Sequence, residues 1–165
     1  MSKVLLAVDD SPASWKAVNY VAELVRKQKE LAVHIFHAID PLPAGLQEFR
    51  GAENPDEEKI LEAELKQKQE AWRQKARSAA EPVIKRARFM LEQAGAVAEQ
   101  ITSQNSALMH REDLPDEILK SARESGCDTI IVGRNSFAWV TELFTDHLGE
   151  EIEQKADGIS VSVID

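Results

Sequence analysis

The chain has one cysteine, seven glycines and six prolines among 165 residues. A lone thiol, Cys127, cannot form an intrachain disulfide, and so little glycine and proline excludes collagen-like and low-complexity chains. Long apolar runs are also missing. Nothing approaches the roughly 20 residues that a membrane-spanning helix needs, and the first apolar run, from Lys3 to Asp9-Asp10, is too short for a signal peptide. Positive charge is in deficit: 20 Lys plus Arg stand against 29 Asp plus Glu, a net charge of −9, which argues against nucleic acid or anionic lipid as partners. What is present is 43% apolar and 30% charged residue, which excludes disorder and suffices for a core in a single domain over residues 1–165. The expectation is a soluble, cytoplasmic protein.

The acidity is local. Residues 1–52 carry six acids and six bases and residues 53–94 nine of each, whereas His110 to Asp157 carry twelve acids against five bases, a balance of −7. By itself such a segment reads as a solvated acidic surface.

Lys3 to Val8 is a continuous apolar run, as expected for a strand buried on both faces of a parallel sheet. It stops at Asp9-Asp10-Ser11-Pro12, where Ser11 can cap a helix and Pro12 occupies a position whose N–H would be unpaired anyway. Helical spacing follows through Val25, and Leu31 to Ile39 reads as a second strand. Residues 40–54 form a loop rich in proline and glycine. Asn54-Pro55 then repeats the cap signal before a long amphipathic helix to Ala94, with Pro82 expected to kink it. The outer half of this helix reads as a solvated face, with a partner-binding arm as the other possibility. Val97 to Thr102 is a weak strand placed at a sheet edge. A helix from Asp113 to Gly126, a buried strand at Thr129 to Val132, a connection over 133–145, a helix from Leu148 to Ala156 and a strand from Ile159 to Ile164 complete a βαβαβαβαβ pattern. Strands alternating with helices imply a parallel sheet covered on both faces, an α/β three-layer sandwich.

In such sheets ligands bind beyond the carboxyl ends of the strands. Those ends carry Val-Leu-Leu-Ala-Val-Asp-Asp-Ser at 4–11, His-Ala-Ile-Asp at 37–40 and Asp-Thr-Ile-Ile-Val-Gly at 128–133. With the tail Leu-Phe-Thr-Asp-His-Leu-Gly-Glu-Glu-Ile at 143–152 and the last strand, they resemble the universal stress protein family over essentially the whole chain, residues 40–115 in layout alone. The resemblance implies a Rossmann-like, five-stranded sheet of order 3-2-1-4-5. It also implies a nucleotide site in which an acid after the first strand holds the adenosine portion and a G-x2-G-x9-G-[ST] loop wraps the phosphates with backbone amides, close approach that needs glycine. Carried onto this chain, that site comprises Ala7, Asp9, Ala38, Val132, Gly133, Ser136, Asp146 and His147.

Asp9 and Gly133 keep the pattern, while Ser136 and Asp146 replace the second and third glycines and His147 the final Ser or Thr. Asp146 would set a carboxylate against phosphate, a repulsion of roughly 4 kcal/mol at about 4 Å and an effective dielectric near 20, enough to abolish a micromolar site unless a metal intervenes. The site therefore reads as vestigial: no cofactor is expected, with ATP and Mg as the alternative, and Arg134 as the one nearby cation. Adjacent Asp9 and Asp10 point to opposite faces at a strand end, as do His34 and His37, so neither pair reads as a metal site. His147 near Asp146 and Glu150 lacks a nucleophile and an oxyanion hole, and Cys127 before a buried strand reads as a packed thiol. Phe137 and Trp139 either fill the vacated phosphate space or mark a contact patch. The absence of glycine from 9–12 argues against an adenylating enzyme with a pyrophosphate loop there. A non-catalytic stress-response protein acting through protein contacts is the first reading, homodimeric through Ile159 to Ile164. A nucleotide-dependent switch or weak ATPase is the second.

Overall fold

The computed structural model describes residues 2–47, 53–108, 110–137 and 148–165. Five parallel strands, β1 (Lys3–Val8), β2 (Ala32–Ile39), β3 (Ile101–Ala107), β4 (Thr129–Gly133) and β5 (Ser160–Ile164), stand in the order β3-β2-β1-β4-β5. The connecting helices are α1 (Pro12–Lys27), α2 (Ala44–Gln47), α3 (Pro55–Gln93), α4 (Leu114–Glu124) and α5 (Leu148–Lys155).

The central strand β1 explains the layering. Its side chains alternate: Val4, Leu6 and Val8 face one core, while Leu5 and Ala7 face the other. The first core is closed by Ala17, Val18, Val21 and Val25 of α1 and by Val83, Ala87 and Leu91 of α3. The second is closed by Leu114, Ile118 and Leu119 of α4 and Ile152 of α5. Each fully buried Leu or Ile contributes about 1.5–3 kcal/mol relative to exposure, so a continuous apolar strand pays off only when both faces are covered.

Both proline-led helices start as their sequences require. The Ser11 hydroxyl accepts the Ser14 N–H at 3.2 Å, and the Asn54 side chain accepts the Asp56 N–H at 3.0 Å. α3 runs through Pro82 and is 39 residues long, about 58 Å at 1.5 Å per residue. Its buried residues, Ala80, Val83, Ala87 and Leu91, all lie in the last four turns, so only that part rests on the sheet. The earlier turns extend over the carboxyl ends of β2 and β3, where the Gln69 amide donates to the Leu46 carbonyl at 2.6 Å.

β3 lies later than its apolar residues suggest. The expected strand over Val97 to Thr102 is replaced by a 3₁₀ turn at Ala98–Gln100 and a strand that begins at Ile101. Gln100 holds the turn by accepting the Val97 N–H at 2.9 Å and donating to the Lys29 carbonyl at 2.7 Å. The strand beyond it is polar because it is an edge, with Ile101 its only buried residue. Residues 40–47, read as loop, contain the single turn α2. Among the described residues no helix is long and apolar enough to cross a membrane.

Candidate functional site

The carboxyl ends of β1 and β4 meet the first turn of α1, and the Asp9 carboxylate joins them. Its Oδ1 accepts the hydroxyls of Ser11 and, at 2.6 Å, of Ser14, while Oδ2 accepts the Phe137 N–H at 2.7 Å. The Ser14 oxygen also accepts the Asp9 N–H at 2.9 Å and stands 2.9 Å from the Ser136 hydroxyl. Ser14 has one proton and gives it to Asp9, so Ser136 is the donor to Ser14. Both serines are buried. Three donors on one carboxylate tie strand, helix and turn together with charge-assisted hydrogen bonds, each worth more than a neutral one.

The turn after β4 is built to deliver its fourth residue inward. Asn135 (φ 70°) and Phe137 (φ 59°) both adopt the left-handed region, which costs a bulky side chain on the order of 1 kcal/mol or more. The Ser136 N–H returns to the Gly133 carbonyl at 3.0 Å, and the Arg134 N–H reaches the Ile164 carbonyl at 2.7 Å. The Phe137 ring is fully buried, in the same cluster as Ala7, Ala38 and Val132. Burial of that ring and the bond to Asp9 offset the strain.

Of the expected site residues, Asp9, Gly133 and Ser136 come together at this junction. Ala7, Ala38 and Val132 form buried wall around the level of Phe137. Asp146 and His147 lie outside the described residues, as does Trp139. Ser14, the hub of the hydroxyl network, was not anticipated. Its spacing of three from the capping Ser11 was the available signal, although the same spacing also suits an ordinary helix start.

Asp10 diverges from Asp9 and accepts the Trp15 indole N–H at 3.2 Å, while Trp15 carries the Arg86 guanidinium 4.0 Å from its ring centre. Beside the junction a groove of about 440 Å³ is lined by Ser11, Pro12, Ala13, Lys16, Arg134, Asn135 and Asp165. Arg134 donates to the Asp165 carboxylate there. Among the described residues, no three His, Cys, Asp or Glu side chains converge as a metal site would require.

The two histidines point apart. His34 is buried, with Nδ1 2.7 Å from the Thr102 hydroxyl and Nε2 3.2 Å from the Gln104 carbonyl oxygen, which also accepts the Ser121 hydroxyl at 2.6 Å. This network fits a neutral imidazole protonated at Nε2. Burial lowers the pKa of both His34 and His37 below the ordinary 6.5, against the opposing bonds to Gln104 and Asn105. Below about pH 6.5 the unfolded chain takes up protons that these folded imidazoles resist. Stability is therefore highest above that pH and falls on acidification until the folded rings also protonate, by at most about 1.4 kcal/mol per pH unit for each proton. Urea unfolding near pH 7.5 and near pH 5.5 checks this. The expected drop shrinks in His34→Gln, and an undiminished drop in the double variant with His37→Gln would refute the assignment.

Cys127 is buried, and desolvation pushes its thiol up to about 11, which keeps it protonated and unreactive near neutrality.

Residues 1–145 match the profile of the universal stress protein family. No individually curated protein matches by sequence. Among solved structures, the hypothetical protein MJ0577 superposes with a TM-score of 0.69 at 20% identity, covering 99% of this chain and 94% of its own. A universal stress family protein from Burkholderia pseudomallei gives 0.63 at 18%, covering 99% and 95%. The universal stress protein from Archaeoglobus fulgidus, solved in complex with dAMP, gives 0.55 at 19%, covering 100% and 98%.

Proposed function

The chain belongs to the universal stress protein family, and we propose that this member does not hold ATP tightly and acts non-catalytically, through protein contacts. One observation carries the proposal. The acid expected to hold the adenosine portion already accepts from Ser11, Ser14 and Phe137, and the Phe137 ring is buried among the alanines and valine at the strand ends. A nucleoside would have to replace three internal donors and displace a buried aromatic ring. Leaving those donors unpaired would cost about 1–3 kcal/mol each. The sequence adds Asp146 at the position of a phosphate-loop glycine.

Mass spectrometry of gently extracted protein, followed by equilibrium titration with Mg-ATP, tests this. No copurifying nucleotide and no saturation below the millimolar range are expected. A low-micromolar dissociation constant would overturn the proposal.

A nucleotide-dependent switch is the second reading. The groove at the first turn of α1, with Lys16 on its wall, favours it, as does the dAMP held by the Archaeoglobus relative. AMP saturating the protein where ATP does not would support that reading in a form without polyphosphate.

Self-association is proposed along β5. This strand ends the sheet, and Val161, Val163 and Ile164 are only partly buried by the chain itself. An open, apolar edge invites pairing with a second copy. Sedimentation at high micromolar concentration should show a dimer, and a monomer alone would argue against it.

A further inference from the structure

The geometry points to a second ligand site at the carboxyl ends of β2 and β3, where a cavity is shaped for a small organic anion with a flat apolar body. The cavity measures about 470 Å³, within the range of pockets that take small organic ligands. It lies between the carboxyl ends of β2 and β3 and the overhanging turns of α3, on the β3 side of the junction of β1 with β4, and shares no lining residue with the groove beside that junction. Its wall combines the half-buried Trp72 with Arg73, Arg77 and Gln69, all from α3, and adds Leu42 and the buried Leu108.

The cations explain the ligand's sign. Arg111 is already committed, since its guanidinium grips Asp40 through two bonds of 3.1 Å. Arg77 lies 3.8 Å from Glu70, an exposed pair too long for a hydrogen bond. Arg73 is half-buried, and among the described residues it forms no ion pair. A guanidinium removed from bulk water gains most from a planar, two-oxygen acceptor such as a carboxylate or sulfonate. Arg73 sits next to Trp72, whose indole supplies an apolar face for the body of the same ligand. Asp40 also lines the cavity, its carboxylate held by Arg111, so Arg73 and Arg77 leave the wall positive in a chain of net charge −9.

Anilinonaphthalene sulfonate, a flat aromatic anion, is a direct probe of the full-length chain. Saturable binding of one dye is expected, with a dissociation constant on the order of tens of micromolar for so open a cleft. Arg73→Glu and Trp72→Ala should each weaken it about tenfold or more, the scale of a lost charged contact or aromatic face. Phe89→Ala, at an exposed residue of α3 outside the cavity, should leave it unchanged. The indole N–H resonance of Trp72, assigned from Trp72→Phe, should shift on addition of dye to the unmodified chain, a readout independent of how the variants fold. Millimolar AMP should not displace the dye. The proposal fails if no saturable binding occurs, if Arg73→Glu leaves it intact, if Phe89→Ala abolishes it, if the Trp72 resonance stays still, or if AMP competes.

Discussion

Gly133→Ala is expected to destabilise the protein by about 3 kcal/mol or more, the upper end of overpacking effects. A Cβ built on Gly133 would lie 2.3 Å from the Ala13 carbonyl oxygen, 2.7 Å from its carbonyl carbon and 2.7 Å from the Ser136 hydroxyl. Two of these contacts are with the backbone of the first turn of α1, and the third is with a member of the Asp9 hydroxyl network. No rotamer change relieves the two backbone contacts. Either α1 moves off β4, which breaks the Ser14 to Ser136 contact, or the turn after β4 shifts and the Phe137 N–H leaves Asp9. Gly149→Ala is the internal control. Its Cβ would meet a Val163 methyl at 2.3 Å, the end of a side chain that can turn, so a smaller loss of roughly 1 kcal/mol is expected. Chemical unfolding of both variants decides the matter, and equal losses would show that the closeness of α1 to β4 is not the constraint argued here.

Phe137→Ala should cost about 3–5 kcal/mol, the usual penalty for emptying a fully buried aromatic site. The backbone makes a sharper comparison possible. At φ 59° the residue sits where only glycine is unstrained, so Phe137→Gly should be no less stable than Phe137→Ala. In a helix or strand interior the order is the opposite, glycine being worse by roughly 0.5–1 kcal/mol. Finding that ordinary order at 137 would mean that the left-handed turn is not retained once the ring is gone. Both variants keep the backbone N–H that binds Asp9, so the comparison isolates ring burial and strain from the hydrogen bond.

Asp9, Gly133, Ser136 and Phe137 illustrate why the candidate site was only partly readable. Asp9 and Gly133 were visible because each follows a strongly apolar strand, and strand ends are where open α/β sheets place their functional groups. Ser136 was visible only as a departure from a glycine pattern. Its role as a buried donor to Ser14 depends on a partner 122 residues away in sequence. For Phe137 two possibilities stood open, a filler of internal space or a surface contact. The fully buried ring decides for an internal role, within the cluster that includes Ala7, Ala38 and Val132. Local sequence could not distinguish these, since the inward aim comes from two excursions to positive φ, one at Asn135, which tolerates it, and one at Phe137, where a bulky residue rarely adopts it.

The edges of the sheet show the same division. Apolar continuity placed β1, β2 and β4 correctly, because burial on both faces leaves a mark in composition. β3 shifted because its pairing from Val33 with Ile101 to Ile39 with Ala107 recruits polar residues whose worth lies in contacts with another strand, as Thr102 and Gln104 have with His34. Single-strand periodicity carries no trace of such contacts.

The sequence by itself determined the alternation of strands and helices, the capped starts of α1 and α3, the acidic segment from His110 to Asp157 and, through residues at the strand ends, the family. These are encoded by neighbours, since burial pattern and capping act within a few residues. Only the tertiary structure decided that Asp9 spends its oxygens on the protein, that α3 overhangs the sheet, and that Arg73 and Trp72 share a cavity wall. Each of those depends on which distant segments fold against one another, and hydrogen-bond saturation and cavity shape are properties of that assembly rather than of any stretch of chain.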